Sequence, residues 1–296
     1  MQLTVEERKK WNASIVGCLK KFISICEKHQ LTYFCIGGTA IGAVRHNGLI
    51  PWDDDIDVGM PRKDYDRFVE VCKTEDLGHY EFMSAQTEGA LYAFGKLSDK
   101  TTTIIEHKHA PVIYGLYIDI FPIDGTAPTK DEAIQMMRTY RRWMNKVDAA
   151  MARVSLSQYL FLLFKPKDWG RMAWLTAAVM LGRERIRKFL MKKLDAISRQ
   201  HDYDTAKNLV NYNGCYWERE IFPCEWVGAP VEHDFEGFRV KLMQHTDEYL
   251  RNVYGDYMQL PPPEKRVCQH DHYFHYLDGR LTMAEIEAKI ATTIDK

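Results

Sequence analysis

No stretch of this sequence reaches the roughly 18 consecutive apolar residues that a bilayer crossing requires. The longest apolar runs, YLFLLF (159–164) and MAWLTAAVMLG (172–182), stop well short. The opening residues, MQLTVEERKKWNAS, contain no apolar core and do not read as a secretory signal. There is no surplus of charge either: 40 Lys and Arg stand against 41 Asp and Glu, a formal net charge of -1. That balance argues against a general nucleic-acid coat, so no nucleic-acid partner is expected and any basic site must be local. Cysteine occurs without a framework. Cys18, Cys26, Cys35, Cys72, Cys215, Cys224 and Cys268 are odd in number and irregular in spacing. They read as reduced thiols of a cytoplasmic protein.

The 296 residues suffice for one large domain or two small ones. Residues 4–29 predict a helix with Trp11, Ile15, Leu19, Phe22, Ile23 and Cys26 on one face. LTYFCI (31–36) reads as a short buried strand, broken at Gly37 and Gly38. TAIGAVRH (39–46) reads as a helix with Thr39 as N-cap. DIDVGM (55–60) has the alternation of a strand, and Pro61 then opens a helix. Strand patterns follow at 80–84, 91–97, 102–106 and 115–121. Residues 129–203 are helical and charged, and the tail mixes a hairpin, a helix and a Pro-rich loop. The expectation is an α/β catalytic core over 1–128, a helical region over 129–203, and a mixed C-terminal region over 204–296 that completes the site.

Four aspartates crowd one five-residue window: Asp53, Asp54, Asp55 and Asp57. On a strand, Asp55 and Asp57 project from one face while Ile56 and Val58 project from the other. Adjacent carboxylates repel unless a cation sits between them. An all-oxygen set suits Mg²⁺ or Mn²⁺. Asp119, between Ile118 and Ile120, offers a third carboxylate from another strand. Such metals clamp a phosphoryl group during in-line displacement. Asp53 and Asp54 read instead as a solvated turn or loop cap. The pair Gly37-Gly38, between a strand and a helix, allows a backbone N–H to approach a phosphate. A Gly-Gly turn, an Asp-x-Asp strand and a later lone strand Asp form the layout of a nucleotidyltransferase fold. That predicts a mixed sheet with flanking helices.

IGGTAIGAVRHNGLIPWDDDIDVGMPRKDYDRFVEV (36–71) resembles the signature of the LicD family, as do LYIDIFPIDG (116–125) and YGDYMQLPPPEKR (254–266). The resemblance runs from about 31 to 270, with a divergent middle. It implies transfer of phosphocholine, or a related phospho-alcohol, from a CDP-choline-like donor. The acceptor would be a sugar hydroxyl of a cell-surface glycan or its lipid-linked precursor. It places the family's Asp-x-Asp on Asp55 and Asp57, its later aspartate on Asp119, and its glycine pair on Gly37 and Gly38.

Arg45, Arg62, Lys96 and Arg266 are candidate phosphate ligands, each with an ordinary surface charge as the alternative; Lys265 shares a stiff loop with Arg266. With Gly37, Gly38, Thr39 and Trp52, the residues Arg45, Lys96 and Arg266 make up the expected donor-binding set. A choline headgroup calls for an aromatic cage, and Trp52, Tyr92, Tyr117, Trp217 and Trp226 are candidate walls, Trp52 foremost. CQHDHYFH (268–275) raises a zinc reading through His270, His272 and His275 with Cys215 and Cys224, although the spacing matches no standard finger. Residues 165–193 carry nine Lys or Arg, including Arg187, against Asp168 and Glu184. With the adjoining apolar runs, 156–193 suits contact with the inner membrane face, or equally a hairpin packed on the core. Two other functions share these features: attachment of NMP to a small acceptor, and non-catalytic nucleotide binding.

Overall fold

The chain begins with α1 (Val5–Lys28), and the computed structural model describes residues 3–268 and 272–294. Thr4 and Glu7 close a capping box on the helix start. The buried residues of α1 are Trp11, Ile15, Cys18, Leu19, Phe22, Ile23, Ile25 and Cys26, the predicted stripe with Cys18 and Ile25 added. Burying one large side chain of this kind contributes roughly 1.5–3 kcal/mol before the loss of chain entropy.

Next come β1 (Phe34–Cys35), α2 (Gly37–His46), β2 (Asp57–Pro61), α3 (Arg62–Val71), β3 (Tyr80–Met83), β4 (Gly95–Ile105) and β5 (Tyr114–Thr126). The helical stretch is α4 (Lys130–Met151), α5 (Leu156–Leu163), α6 (Trp169–Leu181) and α7 (Arg183–Ser198). The remainder is β6 (Asn208–Val210), β7 (Ile221–Pro223), β8 (Val231–Phe235), β9 (Phe238–Leu242), α8 (Thr246–Tyr254), β10 (Phe274–Tyr276) and α9 (Met283–Ile294). No described helix is long and apolar enough to cross a membrane.

The described residues form an eight-stranded mixed sheet with the path β1-β2-β5-β4-β10. Strand β3 pairs with β4, and β6 joins the far end of β5 and carries β7. The β2–β5 pair is parallel, and the rest of the sheet is antiparallel. The α/β class and the mixed sheet with flanking helices are those expected.

Several boundaries differ from the sequence reading. The strand of LTYFCI shrinks to two residues. Helix α2 starts two residues early, at Gly37, and Thr39 is inside it. Strand β2 starts at Asp57, so Asp55 precedes it. The two strands read at 91–97 and 102–106 are parts of one, β4, whose register shifts between Asp99 and Ile104.

Two apolar cores result. The first collects α1, β1, β2, β4, β5, β9 and α8, so the C-terminal region shares it with the N-terminal one. The second gathers Met137, Tyr140 and Val147 of α4 with Leu190 and Leu194 of α7, and with Val210 and Tyr212 at β6.

Candidate active site

The parallel register of β2 and β5 sets Asp57 directly opposite Asp119. Three hydrogen bonds from backbone N–H groups fix this corner. Ile36 N–H donates to the Asp57 carbonyl at 3.2 Å, and Asp119 N–H donates to the Ile56 carbonyl at 2.9 Å. Asp57 N–H donates to Thr39 Oγ1 at 2.8 Å. Thr39 is buried and so positions Asp57 rather than capping a helix.

The first turn of α2 lies against two of the carboxylates. Gly37 adopts φ +59°, and a Cβ there would sit 3.0 Å from Asp57 Oδ2. At Gly38 a Cβ would sit 2.5 Å from Asp53 Oδ2. Both glycines therefore admit a carboxylate to the positive end of a helix.

Helix α1 holds the aspartate loop from the other side. Arg8 Nη1 donates to the Asp53 carbonyl at 2.9 Å, and Trp11 Nε1 donates to the Asp54 carbonyl at 2.7 Å. Asp53, Asp54 and Asp55 present carboxylate oxygens within 4.8 Å of one another, the one such group of potential metal ligands among the described residues. Asp54, expected in a solvated turn, is buried, with His272 Nε2 3.4 Å from its Oδ2. Burial first, and then the charges of Asp55, Asp119 and Asp53, push the Asp57 carboxyl well above the usual carboxylate range against the opposing charge of Lys96. The loop thus accumulates negative charge that a cation would relieve.

Lys96 lies opposite Asp119 on β4, as its strand position suggested. It is buried, and its Nζ reaches Asp119 Oδ1 at 2.7 Å and Glu106 Oε1 at 3.3 Å. Burial works against its charge, yet Asp119 and Glu106 outweigh it and hold its pKa above the ordinary lysine value. The ring centroids of Tyr117, Tyr92, Phe94 and Tyr114 lie 3.6, 4.7, 5.3 and 5.7 Å from the ammonium. Tyr92 and Tyr117, two of the five candidate cage walls, therefore already flank a cation, and Lys96 reaches the carboxylates rather than open solvent.

Beside the cage, a cavity of about 240 Å³ opens between Asp55, Asp119, Trp11, Tyr92 and Tyr117. Glu106 lines it, and its Oε2 is buried with no hydrogen-bond partner among the described residues. Neither Glu106 nor Trp11 was singled out from the sequence. The only signal was an acid at the end of an apolar strand for the first, and the helix stripe for the second.

The basic residues divide into two groups. Arg266 stacks its guanidinium 5.6 Å from the Trp52 ring, and Trp52 meets His46 edge-on at 6.1 Å. Trp52 is thus covered by Arg266 rather than open as a cage wall. Burial and then the charge of Arg266 lower the Arg45 pKa, which puts both guanidiniums in one neighbourhood. Arg62 belongs elsewhere: it donates to both oxygens of Asp124 at 2.6 and 2.7 Å. It lines a larger cavity, about 440 Å³, between α3 and α7, where Arg199 is likewise paired with Asp66.

The zinc reading finds no Cys/His grouping among the described residues. His270 lies outside them. His272 and His275 pack on Trp11 with ring centroids 5.6 and 6.0 Å away. The cysteines form no disulfide among the described residues.

Comparisons with known proteins meet the same residues. The family model for LicD/FKTN/FKRP, nucleotidyltransferase domain, matches residues 30–155, which contain the glycine pair, the aspartate loop, Lys96, Glu106 and Asp119. Two uncharacterized proteins, from Rickettsia typhi and Rickettsia prowazekii, match short segments, at 36% identity over 58 residues (20% of this chain, 19% of theirs) and 34% over 67 (22% and 25%). The lipopolysaccharide cholinephosphotransferase LicD of Haemophilus influenzae is 31% identical over 270 residues, 86% of this chain and 92% of its own. A likeness of that extent, reaching past the aspartates through the helical stretch and into the C-terminal region, makes this chain a member of the LicD family.

Proposed function

We propose that this chain is a phosphotransferase that moves phosphocholine, or a related phospho-alcohol, from a CDP-linked donor to a sugar hydroxyl of a glycan or lipid-linked glycan. The observation that carries the reading is the facing of Asp57 and Asp119 across parallel strands, beside a loop crowded with three more carboxylates. The relative named a lipopolysaccharide cholinephosphotransferase supports choline as the alcohol and a glycan as the acceptor.

The carboxylate set fits Mg²⁺ or Mn²⁺, because it offers hard oxygen ligands and an excess of charge. Asp55, Asp57 and Asp119 are the residues proposed to hold the ion, with Asp53 against Gly38 close by. When bound, it would neutralise the donor's diphosphate. The chain supplies the rest. Arg45 and Arg266, held close enough for one charge to act on the other, would welcome the anionic CMP leaving group. Asp119, fixed by Lys96, would accept the proton of the attacking sugar hydroxyl. The cavity beside it suits a quaternary ammonium, which has no N–H to donate and rests against aromatic faces and a carboxylate. Trp11 and the parts of Tyr92 and Tyr117 that line the cavity would be its walls; Lys96 engages Glu106 Oε1, so the buried Oε2 would be its counter-charge.

CMP release from CDP-choline, with Mg²⁺ and a sugar acceptor, tests this. The expected result is CMP together with a phosphocholine-bearing sugar, and a loss of about 100-fold or more in Asp57→Asn, since even an outer partner of a metal ligand costs 10–100-fold. Near wild-type turnover in Asp57→Asn defeats the reading. Pyrophosphate release from CTP, with no reaction of CDP-choline, would turn it toward NMP transfer.

A further inference from the structure

We infer that the hairpin formed by α5 and α6 seats this protein on an anionic lipid bilayer. Helix α5 and its C-cap residue expose a stripe at i, i+4 and i+8: Leu156, Leu160 and Phe164, at 73%, 47% and 81% exposure. It buries none of its described side chains fully. Helix α6 buries only Leu175 and Ala178, while Val179, Met180 and Leu181 face solvent at its end. Tyr159 and Thr176 share a hydrogen bond of 2.6 Å, which lays α5 back along α6 and brings the two apolar exposures onto one hairpin.

Packing within the molecule does not call for this. The second core is completed by α4, α7 and β6, with Ala178 the residue α6 adds to its buried set. Helices of 8 and 13 residues are too short to cross a bilayer.

The charges around the hairpin select the occupant. Lys165, Lys167 and Arg171 stand at its turn. Arg153, Arg183 and Arg185 stand at its open end, where Arg183 Nη1 donates to the Ala150 and Ala152 carbonyls at 2.7 and 2.9 Å, next to Arg153 in the chain. Of the two acids in the segment, Asp168 still leaves the turn a surplus of positive charge, and Glu184 is already engaged by Arg187, which is fully buried and so is no part of the basic surface. Apolar side chains flanked at both ends by cations, in a chain of net charge -1, match anionic headgroups above acyl chains. A second copy of the chain would bring the same cations against themselves.

Flotation of the full chain with vesicles tests the inference. Vesicles of phosphatidylcholine with phosphatidylglycerol should bind it about tenfold or more tightly than phosphatidylcholine alone, with salt weakening the difference. Leu160→Ser with Phe164→Ser should reduce that binding about tenfold or more. Lys167→Glu with Arg171→Glu should abolish the preference for anionic vesicles. Both variants should keep wild-type helical content and CMP release with a soluble acceptor. The inference is overturned if the wild type stays in solution, or if the charge variant binds like the wild type. It is equally overturned if sedimentation shows a dimer that the serine variant dissolves while vesicles are ignored.

Discussion

At Lys96 one ammonium restrains two carboxylates of the candidate site, Asp119 at 2.7 Å and Glu106 at 3.3 Å, beneath the ring of Tyr117. Removing one member of a buried charge network leaves the others without compensation, typically at about 3–5 kcal/mol. Lys96→Met should therefore lower the urea midpoint by a corresponding amount, and Asp119→Asn added to it should recover part of the loss. A Lys96→Met protein as stable as the wild type would mean that the cage contributes nothing to the fold. Lys96 also marks the limit of what residue patterns reveal. Its place on a strand is readable from the pattern over 91–97, but the Glu106 that shares its charge is not, because Glu106 follows an apolar strand like any boundary charge. Asp57, Asp119 and the glycine pair were readable because alternation and a Gly-Gly break are local signals. Asp53 reads as solvated from the sequence, since nothing local tells that the first turn of α2 returns to within contact of its carboxylate.

Among the elements, α2 is the one whose position the site depends on most. Its early start follows from Gly37, whose positive φ turns the chain from β1 directly into the helix. Its other end is fixed by close approach: a Cβ on Gly42 would fall 2.4 Å from the Gly48 carbonyl oxygen. Backbone cannot give way as a flexible side chain can, so Gly42→Ala should shift α2 and destabilise the protein by roughly 1–3 kcal/mol, the cost of overpacking. Thermal unfolding checks it, and an unchanged midpoint would show that the loop after α2 yields freely. The helices, with their 3.6-residue stripes and caps, were legible in outline, and so were the β8–β9 hairpin and α8. The strands were less so. The exposed Lys100 and Thr101 interrupt the pattern of β4 and split one strand into two readings. The pairing of β10 with β4 depends on residues some 170 positions apart, beyond the reach of any local pattern.

For the molecule as a whole, one pH dependence comes from a buried acid, Glu220. Glu220 is enclosed against Gly214 and accepts a bond from Tyr216 N–H at 3.2 Å; burial raises its pKa from 4.5 to about 7. A folded-state pKa raised above the unfolded one means that the folded chain holds the proton more firmly. This contribution to stability is complete below about pH 4.5 and lost as pH climbs toward 7. The full swing is roughly 3 kcal/mol, at 1.36 kcal/mol per pKa unit. Glu220→Gln should reduce the fall of the melting temperature across that window relative to the wild type, the part that remains belonging to groups such as Asp57, and parallel curves for the two proteins would refute it. The cores themselves are tied by β5, whose Asp119 faces β2 and β4 while its last residues, Asp124 to Thr126, pair with β6. That single unbroken strand leaves no joint between the aspartates and the helical layer. The layer is thus unsuited to swing shut as a lid; under the proposed function it would act as a gauge of fixed length, setting how far a sugar must project from the surface that carries it before its hydroxyl could meet Asp119.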